Sequence, residues 1–200
     1  PGALPHDGLE CPVVEPVGTG VASGRISGDK LPGACQAGIL LGKKRFVDLC
    51  AQHPLYRALR LDKLSLATLE ATLAIYRYGD PKHEIPVLRS IFTPVKELQA
   101  RGEALQEALL PVCESKGLEV ELGKGLSYVG SGATPARALS SRALAFRWAG
   151  GKRNIETLAA RLRAGRPSLW GRIENDEFLL DLRSLQPEED AEVPALFENL

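Results

Sequence analysis

Arg57 and Arg60 stand three residues apart. On a helix that spacing puts two side chains on one face. Two adjacent guanidiniums offer charge-assisted, bidentate bonds that suit a phosphate-like anion. The plainer reading is a pair of helix-surface arginines near Asp62. Lys30 offers an amine, and Asp29 beside it could orient that amine or tune its pKa; for most lysines the plainer reading is a solvated charge. His53 could exchange protons near neutral pH, but standing before Pro54 it reads as a capping or packing residue. Gly130-Ser131-Gly132 could form an anion-facing nest, although a glycine-rich turn between strands is usually only a turn. Cys11, Cys35, Cys50 and Cys113 are scattered, with no C-x-x-C pair and no histidine at zinc-ligand spacing. They read as reduced thiols of a cytoplasmic protein, with no metal site.

The elements that must position these groups fit in a chain of 200 residues, of which 44% are hydrophobic and 25% charged. That is ordinary globular composition. Lys plus Arg equals Asp plus Glu at 25 each, so the overall charge gives no drive towards nucleic acid. No apolar run approaches the roughly 18 residues needed to cross a bilayer, and no signal-peptide pattern is present. The sequence starts at Pro1 and contains no Met, which reads as a processed chain or a piece of a longer one.

Residues 1–25 are rich in Pro and Gly and accommodate no element of normal length. Ile39-Leu40-Leu41, between Gly38 and Gly42, reads as a short buried strand. A helix is expected over 43–53, stopped by Pro54. A second spans 55–78, with Leu61, Leu64, Leu66, Leu69, Leu73 and Tyr76 near helical spacing. Residues 79–92 read as turn and loop. A long helix follows over 94–115, with Leu98, Leu105, Ala108 and Leu109 inward and a kink or frayed end at Pro111. Then the period changes: Leu118, Val120 and Leu122 alternate with Glu119 and Glu121, a half-buried strand. Residues 123–135 read as turns. Strands are expected over 142–149, 168–173 and 177–182, the last two joined by Asn175-Asp176. A helix over 155–164 is capped by Asn154 and Gly165, and a final acidic helix starts at Pro187. The second half is therefore an α+β arrangement, an antiparallel sheet with helices on one face. A boundary near residue 90 divides the chain into 1–90 and 91–200.

Ser27-Gly28-Asp29-Lys30, followed by Gly33 and Gln36-Ala37-Gly38-Ile39, resembles the S-G-D-K-L-x-G-x-x-Q-A-G-I pattern of the L-seryl-tRNA(Sec) selenium transferases. The run from His53 through Tyr56, Arg57, Arg60 and Asp62 to Lys63 resembles that family's H-P-L-Y-R-A-L-R-x-D-K. A third stretch agrees in order and spacing: Leu158 to Arg163, Gly171 to Glu174, Leu179 to Arg183, and Pro187 to Asp190. The resemblance runs from about residue 26 to the end. Pro32 and Ala34-Cys35 replace the usual leucine and Gly-Pro. Upstream of Ser27, Ser23-Gly24-Arg25 interrupts the apolar strand of the pattern, and Pro16 breaks its helix.

The resemblance implies an α/β, fold-type I pyridoxal-phosphate (PLP) enzyme about twice this length. The chain would hold the end of the large domain with its connecting helices, then the small C-terminal domain. Lys30 would bear the cofactor and shuttle the proton, with Asp29 as its catalytic neighbour and Ser27 against the cofactor. Arg57 and Arg60 would grip selenophosphate. The implied reaction converts seryl-tRNA(Sec) to selenocysteinyl-tRNA(Sec) through a dehydroalanyl intermediate, in a cytoplasmic homo-oligomer built from dimers. The chain would need the missing N-terminal half. The alternatives are an inactive truncated remnant and another fold-type I PLP lyase acting on a small amino acid.

Overall fold

The computed structural model describes residues 23–129, 138–150 and 154–200. These fall into two units, one extending to Arg89 and the other starting at Ser90. In the first unit, β1 (Ser23–Ser27) pairs antiparallel with β2 (Gly38–Gly42), Ser27 opposite Gly38. Ser23-Gly24-Arg25 thus continues the strand, against the interruption expected there. Leu40 and Leu41 are 49% and 42% exposed. The strand expected to be buried belongs to a two-stranded ribbon, which has too few neighbours to cover both faces.

Four short helices and one long one follow. Helix α1 spans Lys44–Gln52 and α2 spans Pro54–Leu59. The expected helix over 55–78 breaks at Arg60-Leu61, and α3 (Lys63–Tyr78) restarts because Asp62 accepts from the amides of Leu64 and Ser65. Residues read as loop form α4 (Pro81–Glu84) and α5 (Pro86–Phe92). Each has proline in its first turn, where the missing N–H costs nothing.

The second unit is an antiparallel sheet in the order β3 (Leu118–Tyr128), β4 (Ala138–Trp148), β6 (Glu177–Asp181), β5 (Arg172–Glu174), its core face covered by helices. Helix α6 (Val95–Lys116) presents Leu98, Gly102, Leu105, Leu109 and Cys113 as one buried stripe; Ala108 faces solvent. Gly102 lies where a Cβ would meet Leu122 Cδ1 at 2.5 Å and Leu182 Cδ1 at 2.8 Å. Pro111 does not end the helix. It sits on the exposed side, where the carbonyl it cannot bond is open to water, and α6 closes at Gly117 with φ 73°. Burial pushes the Cys113 thiol up to about 11.

Strand β3 (Leu118–Tyr128) extends six residues past Leu122, so Gly123 and Gly125 lie in a strand rather than a turn. They face Ala143 and Ser141 of β4 (Ala138–Trp148). A Cβ on Gly125 would lie 3.4 Å from that of Ala143, so small residues let the strands pack closely. Helix α7 (Ile155–Ala164) is capped by Asn154 and Gly165 as expected. Strand β5 is only Arg172–Glu174, because Leu169 bonds back to the Leu162 carbonyl rather than to the sheet. Strand β6 (Glu177–Asp181) follows a tight turn at Asn175 and Asp176, φ 52° and 61°. The acidic segment is a 3-10 turn, Pro187–Glu192, then α8 (Val193–Glu198). Phe146, Phe178 and Phe197 meet at the centre of the core.

Two arginines close this unit. Arg183, 7% exposed, donates to the carbonyls of Ser90, Ile91, Thr93 and Ser140. Arg101 binds both oxygens of Asp190 at 2.7 and 2.8 Å and the carbonyl of Leu185 at 3.0 Å. Arg183→Leu should destabilise the second unit by about 3 kcal/mol, since four buried carbonyls lose charged donors. Both tryptophans, Trp148 and Trp170, lie in this unit, so urea unfolding followed by tryptophan fluorescence reads it directly. A midpoint equal to that of the unsubstituted protein would show that water replaces the guanidinium.

Candidate functional site

Lys30 occupies the connection between β1 and β2. The ladder runs one step past Ser27–Gly38, with the Gly28 amide donating to the Ala37 carbonyl at 2.8 Å. The Ala34 amide donates to Gly28 and the Gly33 amide to Lys30, at 2.9 and 3.0 Å, so Lys30 opens a β-turn closed at Gly33. Two glycines are forced here. A Cβ on Gly28 would stand 2.7 Å from the Cys35 carbonyl oxygen. Gly33 has φ 71°, and a Cβ there would meet Ile85 Cγ2 at 2.4 Å and Val87 Cγ1 at 2.9 Å. Ala37 and Leu31 are buried beneath the turn, while Lys30 is exposed.

Ser27, Asp29 and Lys30 are thus brought together, with a division of roles the spacing did not show. The Ser27 hydroxyl donates to Asp29 Oδ1. That bond is the main cause holding the Asp29 carboxyl below the usual carboxylate range, with Lys30 adding a small electrostatic contribution. Ser27 has one O–H, and in this arrangement it is given to Asp29.

Arg57 lies in the last turn of α2, and Arg60 is the C-cap residue. Arg60 has φ −63° and ψ 145°. Only ψ departs from helical values, and ψ acts on the residue that follows. The Cβ of Arg60 therefore leaves the chain as it would from a helical position, and the three-residue spacing keeps both side chains starting from one face. Both are exposed, and among the described residues no carboxylate pairs with either. Asp62, the plainer candidate partner, is engaged instead as the α3 cap, accepting also from Ser65 Oγ at 2.7 Å. No hydrogen bond joins either arginine to Ser27, Asp29 or Lys30 among the described residues.

His53 Nδ1 accepts from the Leu55 amide at 3.2 Å, so this histidine caps α2. Gly130-Ser131-Gly132 lies outside the described residues. Residues missed by sequence reasoning hold the lysine turn in place. Tyr76 Oη donates to the Pro32 carbonyl at 3.1 Å and approaches that of Leu31 at 3.4 Å. Cys35 Sγ lies 3.2 Å from the Ser65 carbonyl. In the sequence Tyr76 belongs to an apolar stripe; a tyrosine there, where leucine would pack as well, is the available signal.

The motifs of the second unit serve its architecture. Asp181 accepts from Ser141 Oγ at 2.6 Å, from Ser127 Oγ and from the Arg183 amide, while Arg183 and Asp190 form the closures described above.

A profile of the L-seryl-tRNA selenium transferase family matches residues 8–186. The L-seryl-tRNA(Sec) selenium transferase of Carboxydothermus hydrogenoformans is 41% identical over 177 residues, 88% of this chain and 37% of that protein. The enzyme of the same name from Hyphomonas neptunium is 40% identical over 189 residues, 94% of this chain and 39% of its own length. The chain thus spans under two fifths of the curated relatives it matches. Among solved structures, a D-glucosaminate-6-phosphate ammonia-lyase superposes with a TM-score of 0.58 at 22% identity, covering 90% of this chain and 43% of that one. That likeness bears on the fold alone and agrees with the α/β, fold-type I class. No helix among the described residues is long and apolar enough to cross a membrane.

The Asp62 cap gives a test that is local to this site. Its bonds to Ser65 and Leu64 lower its pKa from the ordinary 3.8. A group depressed in the folded state contributes its full stability above the ordinary value and loses it as pH falls through the lowered one. Amide protection at Leu64 and Ser65 should therefore persist to below pH 3.8 and then collapse, and Asp62→Ala should remove it at every pH. Protection indifferent to that substitution would mean that packing, not the cap, starts α3.

Proposed function

The chain belongs to the L-seryl-tRNA selenium transferase family, and from that premise we propose that it supplies the cofactor-bearing lysine and the anion-binding arginines of a PLP enzyme. That enzyme converts seryl-tRNA(Sec) to selenocysteinyl-tRNA(Sec) with selenophosphate. The observation that carries this reading is the build of the lysine turn. Its backbone is fixed by three hydrogen bonds and two glycines that admit no side chain, while the Lys30 amine stands exposed at its start. This is what covalent attachment requires: a fixed origin and a reachable nitrogen.

The residues present fit one half of a cofactor site. Lys30 would hold the aldehyde carbon of PLP. Asp29, kept ionised by Ser27, would stabilise a cationic form of the neighbouring amine. Groups for the pyridine nitrogen and ring face would come from residues outside this chain, which spans under two fifths of its relatives. Bound PLP supplies an electron sink for the bond broken at the substrate Cα. Lys30 Nζ, as a free amine, takes the Cα proton of the seryl group and can return a proton as the β-hydroxyl leaves. Arg57 and Arg60, unneutralised and starting from one face, bind the phosphate oxygens of selenophosphate and place its selenium for addition to the β-carbon, after which water cleaves the P–Se bond and phosphate is released.

A homo-oligomer built from dimers accords with the first unit's surface. Leu55, Leu59, Leu64, Leu66, Leu73 and Tyr78 are 50–81% exposed on α2 and α3, more apolar surface than such helices leave in water.

Borohydride reduction of the PLP-loaded full-length protein, followed by peptide mass analysis, should place the adduct on Lys30, and Lys30→Ala should abolish it. An adduct on another lysine would end the assignment. Arg57→Ala should raise the KM for selenophosphate about 10- to 100-fold, the equivalent of one charged hydrogen-bonding group, with the KM for seryl-tRNA unchanged. An unchanged selenophosphate KM would remove Arg57 from the anion site.

A further inference from the structure

We propose that Tyr76 is a positioning residue for Lys30, and that α3 sets the lysine turn through it; this rests on the reading of Lys30 as the cofactor-bearing residue. In a β-turn opened by Lys30 and closed by Gly33, the first residue's carbonyl takes the closing bond. The carbonyls of the two central residues, Leu31 and Pro32, have no partner within the turn. Both point at one hydroxyl, that of Tyr76, at 3.4 and 3.1 Å. The contact therefore falls on the two residues that follow Lys30, and on backbone rather than side chain.

A second contact repeats the arrangement from the same helix. Cys35, in the return arm of the loop, lies 3.2 Å from the Ser65 carbonyl. Ser65 and Tyr76 are eleven residues apart in α3, three helical turns, so they occupy one face separated by roughly 16 Å along the axis. The loop is pinned to that face at two places. From another side, Gly33 is closed against Ile85 and Val87, too tightly for a Cβ. With the backbone held on these sides, motion is left to the Lys30 side chain, the part that must swing between attachment and proton transfer. Tyr76 is 40% exposed, so filling a core is not its task; its hydroxyl is what engages the turn.

The test compares full-length protein carrying Tyr76→Phe with the unsubstituted protein, using PLP as the probe. Tyr78→Phe is the control, since Tyr78 is 77% exposed and stacks on Arg77 instead. Three readouts are taken: the dissociation constant of PLP, the pH midpoint of the bound cofactor's visible absorbance, and the residue trapped by borohydride. Tyr76→Phe is expected to weaken PLP about three- to tenfold, the range for loss of one net hydrogen bond, and to move the midpoint, with the adduct still on Lys30. Tyr78→Phe is expected to change neither. Cys35→Ala, which removes the other contact with α3, is expected to act in the same direction, and decides the matter if Tyr76→Phe fails to fold. Trapping on Lys30 with an unchanged dissociation constant and midpoint in Tyr76→Phe overturns the positioning role and leaves the lysine assignment standing. A fall in melting temperature without movement of the midpoint also overturns it, because a structural prop alone would do that. Trapping elsewhere in the unsubstituted protein overturns the lysine assignment itself.

Discussion

The register of one short hairpin governs what the first unit can do. Ser27 opposite Gly38, extended by the Gly28–Ala37 bond, leaves eight residues to cross over, and Lys30 falls at the opening of a tight turn closed at Gly33. A slip by one residue would invert every side chain along the ribbon and shift the turn that Lys30 opens. Gly28 and Gly33 make that slip costly, because any neighbour placed there would drive a Cβ into backbone or into Ile85. The chemistry proposed for the amine is thus secured by two positions that have no chemistry of their own.

The second unit rests on a different economy. Its sheet is covered on one side by a continuous apolar core. On the other side Arg147 is ringed by Glu119, Glu121 and Glu177 at the surface, where such pairs contribute little. The polar groups that matter are inside. Asp181 ties two serines and the start of the following turn, and Arg183 supplies donors to carbonyls that no strand or helix serves. The stretch from Leu179 to Arg183, which in sequence carries part of the family resemblance, is in space a fastening.

Elements with a clean period or a cap were legible in the sequence. Helices α6 and α7 stand where Leu98, Leu105 and Leu109, and Asn154 with Gly165, place them, and Asn175-Asp176 makes its turn. The failures share a cause: one residue type supports two conformations, and tertiary contact decides. Gly123 and Gly125 read as a turn but lie in a strand, because their register opposite Ala143 and Ser141 carries the β3–β4 ladder through them. Pro111 reads as a helix end but costs little on a solvated face. The apolar run 55–78 reads as one helix, yet Asp62 starts a second. At the candidate site, residue types were visible while partnerships were not. Ser27 was legible as a neighbour of Lys30, but its bond to Asp29 and the reach of Tyr76 across 44 residues to Pro32 depend on how the chain folds back.

The fastenings of the second unit span long stretches of chain. Arg183 reaches back over 90 residues to Ser90, Ile91 and Thr93, and Asp190 lies 89 residues from Arg101. Because these bonds join the end of α5, the residue after it and the second turn of α6 to the segment after β6, this stretch lacks its closing partners until almost the whole unit has been synthesised. A ribosome adding residues from the N-terminus completes α6 and the β3–β4 hairpin early, then leaves their shared apolar face waiting for Phe178 and Phe197. Assembly of this unit is therefore finished by the last strand and the helix behind it, and the interval before they emerge is when a chaperone has most to cover.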